Sequence, residues 1–395
     1  MVIKPRIMNN VCLTAHPVGL YKTVEEQIAY VKKQGPFTMP KKILILGGST
    51  GYGLATRISA AFGGNADTIS VSFEKEPTIN RTGTPGWYNN AAFKIEAEKT
   101  GYLAENINGD AFSHEIRQET IEKIKEHFGK IDMLVYSLAS PVRKDPYSDT
   151  LYKSVLKPIG QAYTAHSVNF LTEQISEMEI LPAEQEEIDA TVKVMGGEDW
   201  KLWIAALRDA GVLEEGFTTL AYSYIGPEMT FPIYRGGTIG LAKEHLEKTA
   251  LELDDELKAL GGRAFISVNK ALVTRASAMI PVIPLYISLL FRIMKVKGTH
   301  EGCIEQMYRM LSGKIYGTEG LILDKNHLLR MDDWEMEEEV QNKVKNLWEQ
   351  VDESNIRELT DIVDYRREYM KLHGFEVDGV NYDANVRLGF PCVVC

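Results

Sequence analysis

The chain has 395 residues, of which 44% are hydrophobic and 25% charged, an ordinary globular composition with length for two or three domains. A net charge of −11 argues against a basic nucleic-acid footprint. Four scattered cysteines, Cys12, Cys303, Cys392 and Cys395, argue against a disulfide framework and fit a reducing cytoplasm.

Residues 1–40 precede the first strand signal. Met1-Val-Ile-Lys-Pro-Arg has no apolar h-region, so no secretory signal is expected. Val24–Lys33 has apolar residues at helical spacing and basic residues at its end, and is expected to pack as a helix on the sheet as an extra layer.

The next stretch, Lys42-Ile-Leu-Ile-Leu-Gly-Gly-Ser-Thr-Gly-Tyr-Gly-Leu54, reads as a buried strand, a glycine turn and the start of a helix running through Ala55–Ala61. Glycines 47, 51 and 53 let the backbone turn tightly and let a pyrophosphate approach, and the following helix aims its free N–H groups at the phosphates. The spacing is G-x-x-x-G-x-G rather than the usual G-x-G-x-x-G. A second strand, Thr68–Phe73, ends at Glu74, where such folds bind the adenosine ribose. A carboxylate there accepts from a 2′-hydroxyl and repels a 2′-phosphate, which favours NADH over NADPH, although Lys75 and Arg81 stand near enough to offset that repulsion.

After Gly86-Trp-Tyr-Asn-Asn90 and a helix through Lys99, the third strand is expected at Leu103–Ile107. Asp110 follows it and has two readings: acceptor for the adenine amine, or N-cap of the next helix. That helix spans Glu115–Phe128, with Ile116, Ile121, Ile124 and Phe128 inward. Ile131–Ser140 forms a fourth strand and its exit, which brings the backbone of Leu138 and Ala139 under the ribose and nicotinamide. This alternation predicts an α/β fold, a Rossmann-type doubly wound parallel sheet.

The rhythm breaks from Pro141 to Trp200, an insertion expected to hold a β-hairpin (Ala165–Phe170 with Ile175–Ile180), and residues 184–212 turn helical. Strand signals return at Phe217–Tyr224 and Arg263–Val268, separated by a loop and a helix over Thr238–Leu260. The exit Lys270–Arg275 faces the cofactor edge. The longest apolar stretch, Ile280–Met294, is interrupted by Arg292 and is shorter than the ~20 residues of a membrane span. The C-terminal third reads as extra helices, with Trp334–Val351 amphipathic. The last four residues formally match C-a-a-X, but a final cysteine is not a usual choice there, so the tail is read as disordered. The whole is expected to be one extended Rossmann-type domain: core 42–140 and 217–275, insertion 141–216, and substrate-side and C-terminal helices 276–390.

Tyr234 and Lys243 form a Y-x8-K pair behind a late strand. A phenol has an unperturbed pKa of about 10, and a nearby ammonium makes it a better acid toward a developing oxyanion. With 18 tyrosines in the chain the spacing alone is weak; its position gives it weight. Tyr224, at the strand end, is a rival or helper.

The segments GGSTGYGLATRISAAFG, GTPGWYNN, NGDAFS, VYSLASPVR, VMGGEDW, AYSYIG, IYRGGTIGLAKE, LVTRASAMIPVIPLY and GTHEGCIEQ together resemble the FabV-type trans-2-enoyl-CoA and enoyl-ACP reductases, a longer branch of the short-chain dehydrogenase/reductase superfamily. The resemblance covers nearly the whole chain. It implies that Gly47, Gly48, Ser49, Thr50, Gly51, Tyr52 and Gly53 hold the pyrophosphate, Phe73 and Glu74 the ribose, and Asp110 and Ala111 the adenine. Leu138 and Ala139, with Leu272, Val273 and Thr274, would line the nicotinamide side. Tyr224 would contact substrate, Tyr234 would donate the proton, Lys243 would bind cofactor, and Ile280–Phe291 would border the acyl pocket. The implied activity is an NADH-dependent reduction of the trans-2,3 double bond of an enoyl thioester, carried on coenzyme A (a short chain such as crotonyl-CoA) or acyl carrier protein, without flavin or metal. A monomer or homodimer in the cytoplasm is expected, with no membrane insertion and no nucleic-acid partner. The alternatives are a 3-ketoacyl or alcohol dehydrogenase using the same tyrosine and lysine, and a nucleotide-binding protein without turnover.

Overall fold

Apolar runs with no polar side to spare form central strands, because only a sheet covered on both faces can bury them. Ile43, Leu44, Ile45 and Leu46 are all fully buried. The computed structural model describes residues 1–8 and 11–389; the Cys392 and Cys395 tail lies outside them.

Seven parallel strands make the sheet: β1 Lys42–Leu46, β2 Asp67–Ser72, β3 Ala104–Asn108, β4 Ile131–Tyr136, β5 Leu213–Ser223, β6 Arg263–Val268 and β7 Leu328–Arg330. Their spatial order is β7-β6-β5-β4-β1-β2-β3, with every neighbouring pair parallel. The order reverses between β1 and β4, so their exits part there and open a crevice at the carboxyl edge. This is the doubly wound fold expected.

The helices are α1 Pro17–Gln34, α2 Gly51–Phe62, α3 Pro85–Thr100, α4 His114–His127, α5 Gln185–Met195, α6 Glu198–Asp209, α7 Thr238–Leu257, α8 Ile283–Lys297, α9 Cys303–Arg309, α10 Glu338–Trp348, α11 Ile356–Leu359 and α12 Ile362–Lys371. Three antiparallel strand pairs among the described residues, Ile7–Met8 with Val11–Cys12, Val142–Lys144 with Leu151–Lys153 and Tyr163–Asn169 with Gln174–Ile180, stand off the sheet.

Several expectations need correction. The first helix begins earlier, because Pro17 opens α1 and the His16 ring accepts from the Gly19 N–H. It packs on α3, α2 and α9 as an outer helical layer. α2 begins at Gly51, so the last two glycines of the turn are already helical. Ser113, not Asp110, caps α4: its hydroxyl accepts from Ile116 N–H at 3.2 Å. The hairpin at 142–153 and the three-residue strand β7 are absent from the sequence reading, because neither is long enough to show a period. β5 starts before Phe217, with a register shift between Leu213 and Thr218. Gly216 there has φ +75°, which interrupts the strand pattern.

α8 carries the apolar run. Ile283 to Phe291 are buried on every side, against α10, α12 and the strand Tyr163–Asn169. A helix apolar all round is a core helix. Among the described residues no helix is long and apolar enough to cross a membrane. Leu289 is fully buried, so Leu289→Ala is expected to destabilise the fold by about 2–5 kcal/mol. A denaturation midpoint unchanged from wild type would show that α8 repacks freely.

Candidate active site

The crevice is built from backbone. A Cβ on Gly47 would lie 2.4 Å from the Ser137 carbonyl oxygen, and one on Gly53 would lie 2.1 Å from that of Gly47. Gly47 also has φ +87°, open to glycine and strained for other residues. Thr50 stands at the N-cap of α2 without making a side-chain cap, and the first turn carries no acidic residue. Its N–H groups are thus left for an anion, at the positive end of the helix.

At the end of β2 the Glu74 carboxylate is fixed on both oxygens. Ser49 Oγ donates to Oε1 at 2.6 Å, and Thr84 Oγ1 donates to Oε2. Gly86 makes room for it, since a Cβ there would lie 2.1 Å from Glu74 Oε1. A carboxylate has about four acceptor sites, so capacity remains for a ribose hydroxyl. Phe73, beside it, exposes 78% of its surface. Asp110 accepts from the Phe112 N–H at 3.0 Å. The Ala111 carbonyl accepts from Trp203 Nε1 at 3.0 Å, so α6 of the insertion buttresses the loop after β3. Arg117 and Asp199 form a buried ion pair behind it, at 2.5 Å.

Across the crevice, Leu138 is half-buried and Ala139 exposed. Tyr224 follows β5, and its ring meets that of Tyr234 edge-on, with centroids 4.8 Å apart. Tyr234 is buried, and burial pushes its phenol well above the ordinary value. Its hydroxyl makes no hydrogen bond to any described residue, whereas Tyr224's donates to Glu335 Oε1 at 3.0 Å. Arg235 grips Glu247 through two hydrogen bonds, 2.6 and 3.1 Å, pinning the Tyr234 loop to α7. Lys243, on α7, donates to the Tyr222 carbonyl at 3.1 Å and makes no bond to Tyr234. Leu272 and Val273 are buried, and Thr274 Oγ1 pairs with Ser277 Oγ at 3.1 Å.

The predicted residues therefore gather along one edge of the sheet: the glycine loop, Phe73, Glu74, Asp110 and Ala111 on one side, and Tyr224, Tyr234, Lys243 and Leu272–Thr274 on the other. Tyr52 stands in the first turn of α2 with its side chain engaged elsewhere. Its hydroxyl donates to the Lys270 carbonyl, so it struts the glycine loop against the exit of β6. Sequence reasoning misses three residues at the site: Lys270 as a buried cation, Tyr286 and Glu335. Nothing in the acidic run Asp332-Asp-Trp-Glu-Met-Glu-Glu-Glu339 distinguishes its buried members from solvated ones.

Residues 81–316 match the family model described as the trans-2-enoyl-CoA reductase catalytic region, and residues 2–79 the NAD(P)H binding domain of trans-2-enoyl-CoA reductase. The chain belongs to the trans-2-enoyl-CoA reductase family. It is 53% identical over 385 residues, 98% of this chain and 97% of the relative, to an enoyl-[acyl-carrier-protein] reductase [NADH] of Flavobacterium johnsoniae. It is 51% identical over 98% of both chains to a trans-2-enoyl-CoA reductase [NADH] of Ruminiclostridium cellulolyticum. Two crystal structures superpose over 98% of both chains: the Clostridium acetobutulicum trans-2-enoyl-CoA reductase in complex with NADH, TM-score 0.96 at 46% identity, and the Treponema denticola enzyme with NAD, TM-score 0.95 at 52% identity.

One expectation is overturned. Residues 323–386 match a family model described as an enoyl reductase FAD binding domain, which contradicts a flavin-free assignment. In this reductase that segment comprises β7 and α10–α12. Its inward residues Val340, Val344, Ile362, Tyr365 and Tyr369 are packed in the same core as α8. Those five side chains are committed to that core. The uncapped α2 turn and the glycine contacts, by contrast, fit a dinucleotide.

Burial lowers the Lys243 ammonium to about 8, opposed by Glu247. The charged form prevails below that value and is lost as pH rises through it. For this reductase, kcat/KM for NADH is expected to fall as pH rises through about 8. Lys243→Arg, charged throughout, should move that limb upward; a limb left in place by the arginine would belong to another group.

Proposed function

We propose a division of labour for the residues of this chain, which is an NADH-dependent reductase of enoyl thioesters. The single observation that carries it is the hydroxyl of the buried Tyr234, unpartnered by described residues, at the carboxyl edge of a sheet whose glycine turn leads into an uncapped helix. Bound NADH supplies a hydride to C3 of the trans-2,3 double bond. Gly47, Gly48, Ser49, Thr50, Gly51 and Gly53 receive the pyrophosphate, and Tyr52 braces their loop. Phe73 and Glu74 take the adenosine ribose, and Asp110 and Ala111 the adenine. Leu138, Ala139, Leu272, Val273 and Thr274 line the nicotinamide. As negative charge gathers on the thioester oxygen, Tyr234 stabilises it by hydrogen bonding. Lys243 holds the nicotinamide ribose. Protonation at C2 gives the saturated acyl thioester, and Tyr224 positions the substrate.

The finer reading is a short-chain enoyl-CoA, such as crotonyl-CoA, with enoyl-ACP as the other carrier. All assigned residues come from one chain, so a monomer suffices and a homodimer is compatible. A cytoplasmic setting accords with the free thiols Cys12 and Cys303. We read the chain as one extended domain, because Trp203 of the insertion and α8 of the C-terminal part both enter cores shared with the nucleotide-binding half.

Glu74→Ala should reduce the preference for NADH over NADPH, and a basic residue there should reduce it further. Equal wild-type kcat/KM for the two cofactors would sink this account of Glu74. Tyr234→Phe removes a hydroxyl and almost no volume. It should lower kcat by roughly 10²–10³ while KM moves much less. Tyr224→Phe should cost less. Near-normal kcat in Tyr234→Phe with abolished kcat in Tyr224→Phe would reverse the two roles.

A further inference from the structure

Glu335 is fully buried and receives three donors from three separate elements. Oε1 accepts from the Tyr224 hydroxyl at 3.0 Å and from the Tyr286 hydroxyl at 2.6 Å. Oε2 accepts from the Ala271 N–H at 2.7 Å. These donors stand at the exit of β5, on α8 and at the exit of β6. Gln341 Nε2 closes the cluster, donating to the Glu335 carbonyl at 2.7 Å and to the Tyr286 oxygen at 3.1 Å.

The chain is led there by β7. Its pairing with β6 ends at Val268 and Arg330, and the N–H groups of Met331 and Asp332 both donate to the Val268 carbonyl, at 2.9 and 3.1 Å. The turn that follows carries Glu335 beneath the strand ends.

All three bonds run as donors onto the carboxylate. A backbone N–H only donates, and each phenol has one proton. Three donors converging on two oxygens suit an ionised carboxylate, which only accepts. Burial, with Asp332, raises the Glu335 carboxyl above its ordinary value, while the buried Lys270 ammonium and the Tyr286 and Ala271 hydrogen bonds hold that rise back. Such an arrangement is not an economical way to hold a core together, since apolar replacements of buried ion pairs are often neutral or stabilising. Its effect is on the tyrosines. Tyr224 commits its only hydroxyl proton to Glu335, while the neighbouring Tyr234 commits its own to no described residue.

We infer that Glu335 is a positioning residue of the reductase site: it accepts the hydroxyl hydrogen bond of Tyr224, leaving Tyr234 as the free phenol donor, and it fixes the spacing of the β6 exit and α8 through Ala271 and Tyr286. This rests on the functional reading above and gives the 323–386 segment a part in the chemistry.

The test uses the full chain, with crotonyl-CoA and NADH as substrates. Glu335→Gln keeps the size but removes the charge and turns one acceptor into a donor, so the Tyr224, Tyr286 and Ala271 hydrogen bonds cannot all be kept as they are. Its kcat is expected to fall about tenfold to a hundredfold, the scale of a lost charged hydrogen bond. NADH affinity, read by fluorescence titration, should stay within about threefold, because the glycine loop is untouched. Tyr224→Phe combined with Glu335→Gln should be within about twofold of the worse single variant, since both break one contact. A folded Glu335→Gln enzyme with wild-type kcat, or a double variant whose losses multiply, overturns the inference. Should Glu335→Gln fail to fold, Tyr224→Phe and Tyr286→Phe carry the test, as both donate to the same oxygen. Non-additive kcat losses support the inference and multiplicative ones overturn it. Wild-type turnover is the control: its absence overturns the functional reading and this kinetic role together, whereas turnover with indifferent variants overturns the role of Glu335 alone.

Discussion

Everything at this site stands on one backbone contact, the approach of Gly47 to Ser137 where the strand order reverses. A Cβ at Gly47 would lie 2.4 Å from the Ser137 carbonyl oxygen, so the exits of β1 and β4 can lie this close only without a side chain. The same contact sets where α2 starts and therefore where its uncapped N–H groups point. The residues proposed for the adenosine follow β2 and β3 on one side of that point, and the tyrosines follow β5 on the other.

The two sides are stiffened differently. On the adenosine side, neutral donors and the insertion do the work: Ser49 and Thr84 hold Glu74, and Trp203 of α6 holds the Ala111 carbonyl. On the tyrosine side, the fixing groups are charged and dry. Lys270 and Glu335 are both buried, and burial lowers the Lys270 ammonium to about 8. Electrostatic interactions are stronger in such a medium than in water, which suits stabilising charge on a substrate oxygen and makes an unpartnered group costly. The Lys270 ammonium meets this cost by donating to the Ala271 carbonyl at 3.1 Å and lying 4.9 Å over the Phe291 ring.

The C-terminal segment has a physical role in the site however its family model is described. β7 is only three residues long, yet it extends the sheet past β6 and turns the following chain inward. α8 is then enclosed by α10 and α12, and the apolar run forms core rather than surface. The acyl-pocket role given to Ile280–Phe291 by resemblance accordingly has to be reconciled with side chains that also hold the C-terminal core together.

Much of this was written locally. Ile43–Leu46, the glycines after it, Glu74 at the next strand end and the Tyr234 and Lys243 pair lie within short stretches, where apolar runs, turn residues and strand ends carry the signal. The sequence by itself therefore determined the doubly wound sheet, the crevice and its nucleotide side, and its motifs determined the family resemblance. It did not show which donors commit to which acceptors. Asp110 lost the N-cap to Ser113, Tyr52 reached the Lys270 carbonyl, and Lys243 bonded the Tyr222 carbonyl rather than Tyr234. Glu335 sits among acidic neighbours of the same type, distant along the chain from Tyr224, Ala271 and Tyr286. Only the tertiary structure could decide that it is buried, because its burial comes from a short edge strand and three partners on other elements, none of which leaves a period or a motif in the chain.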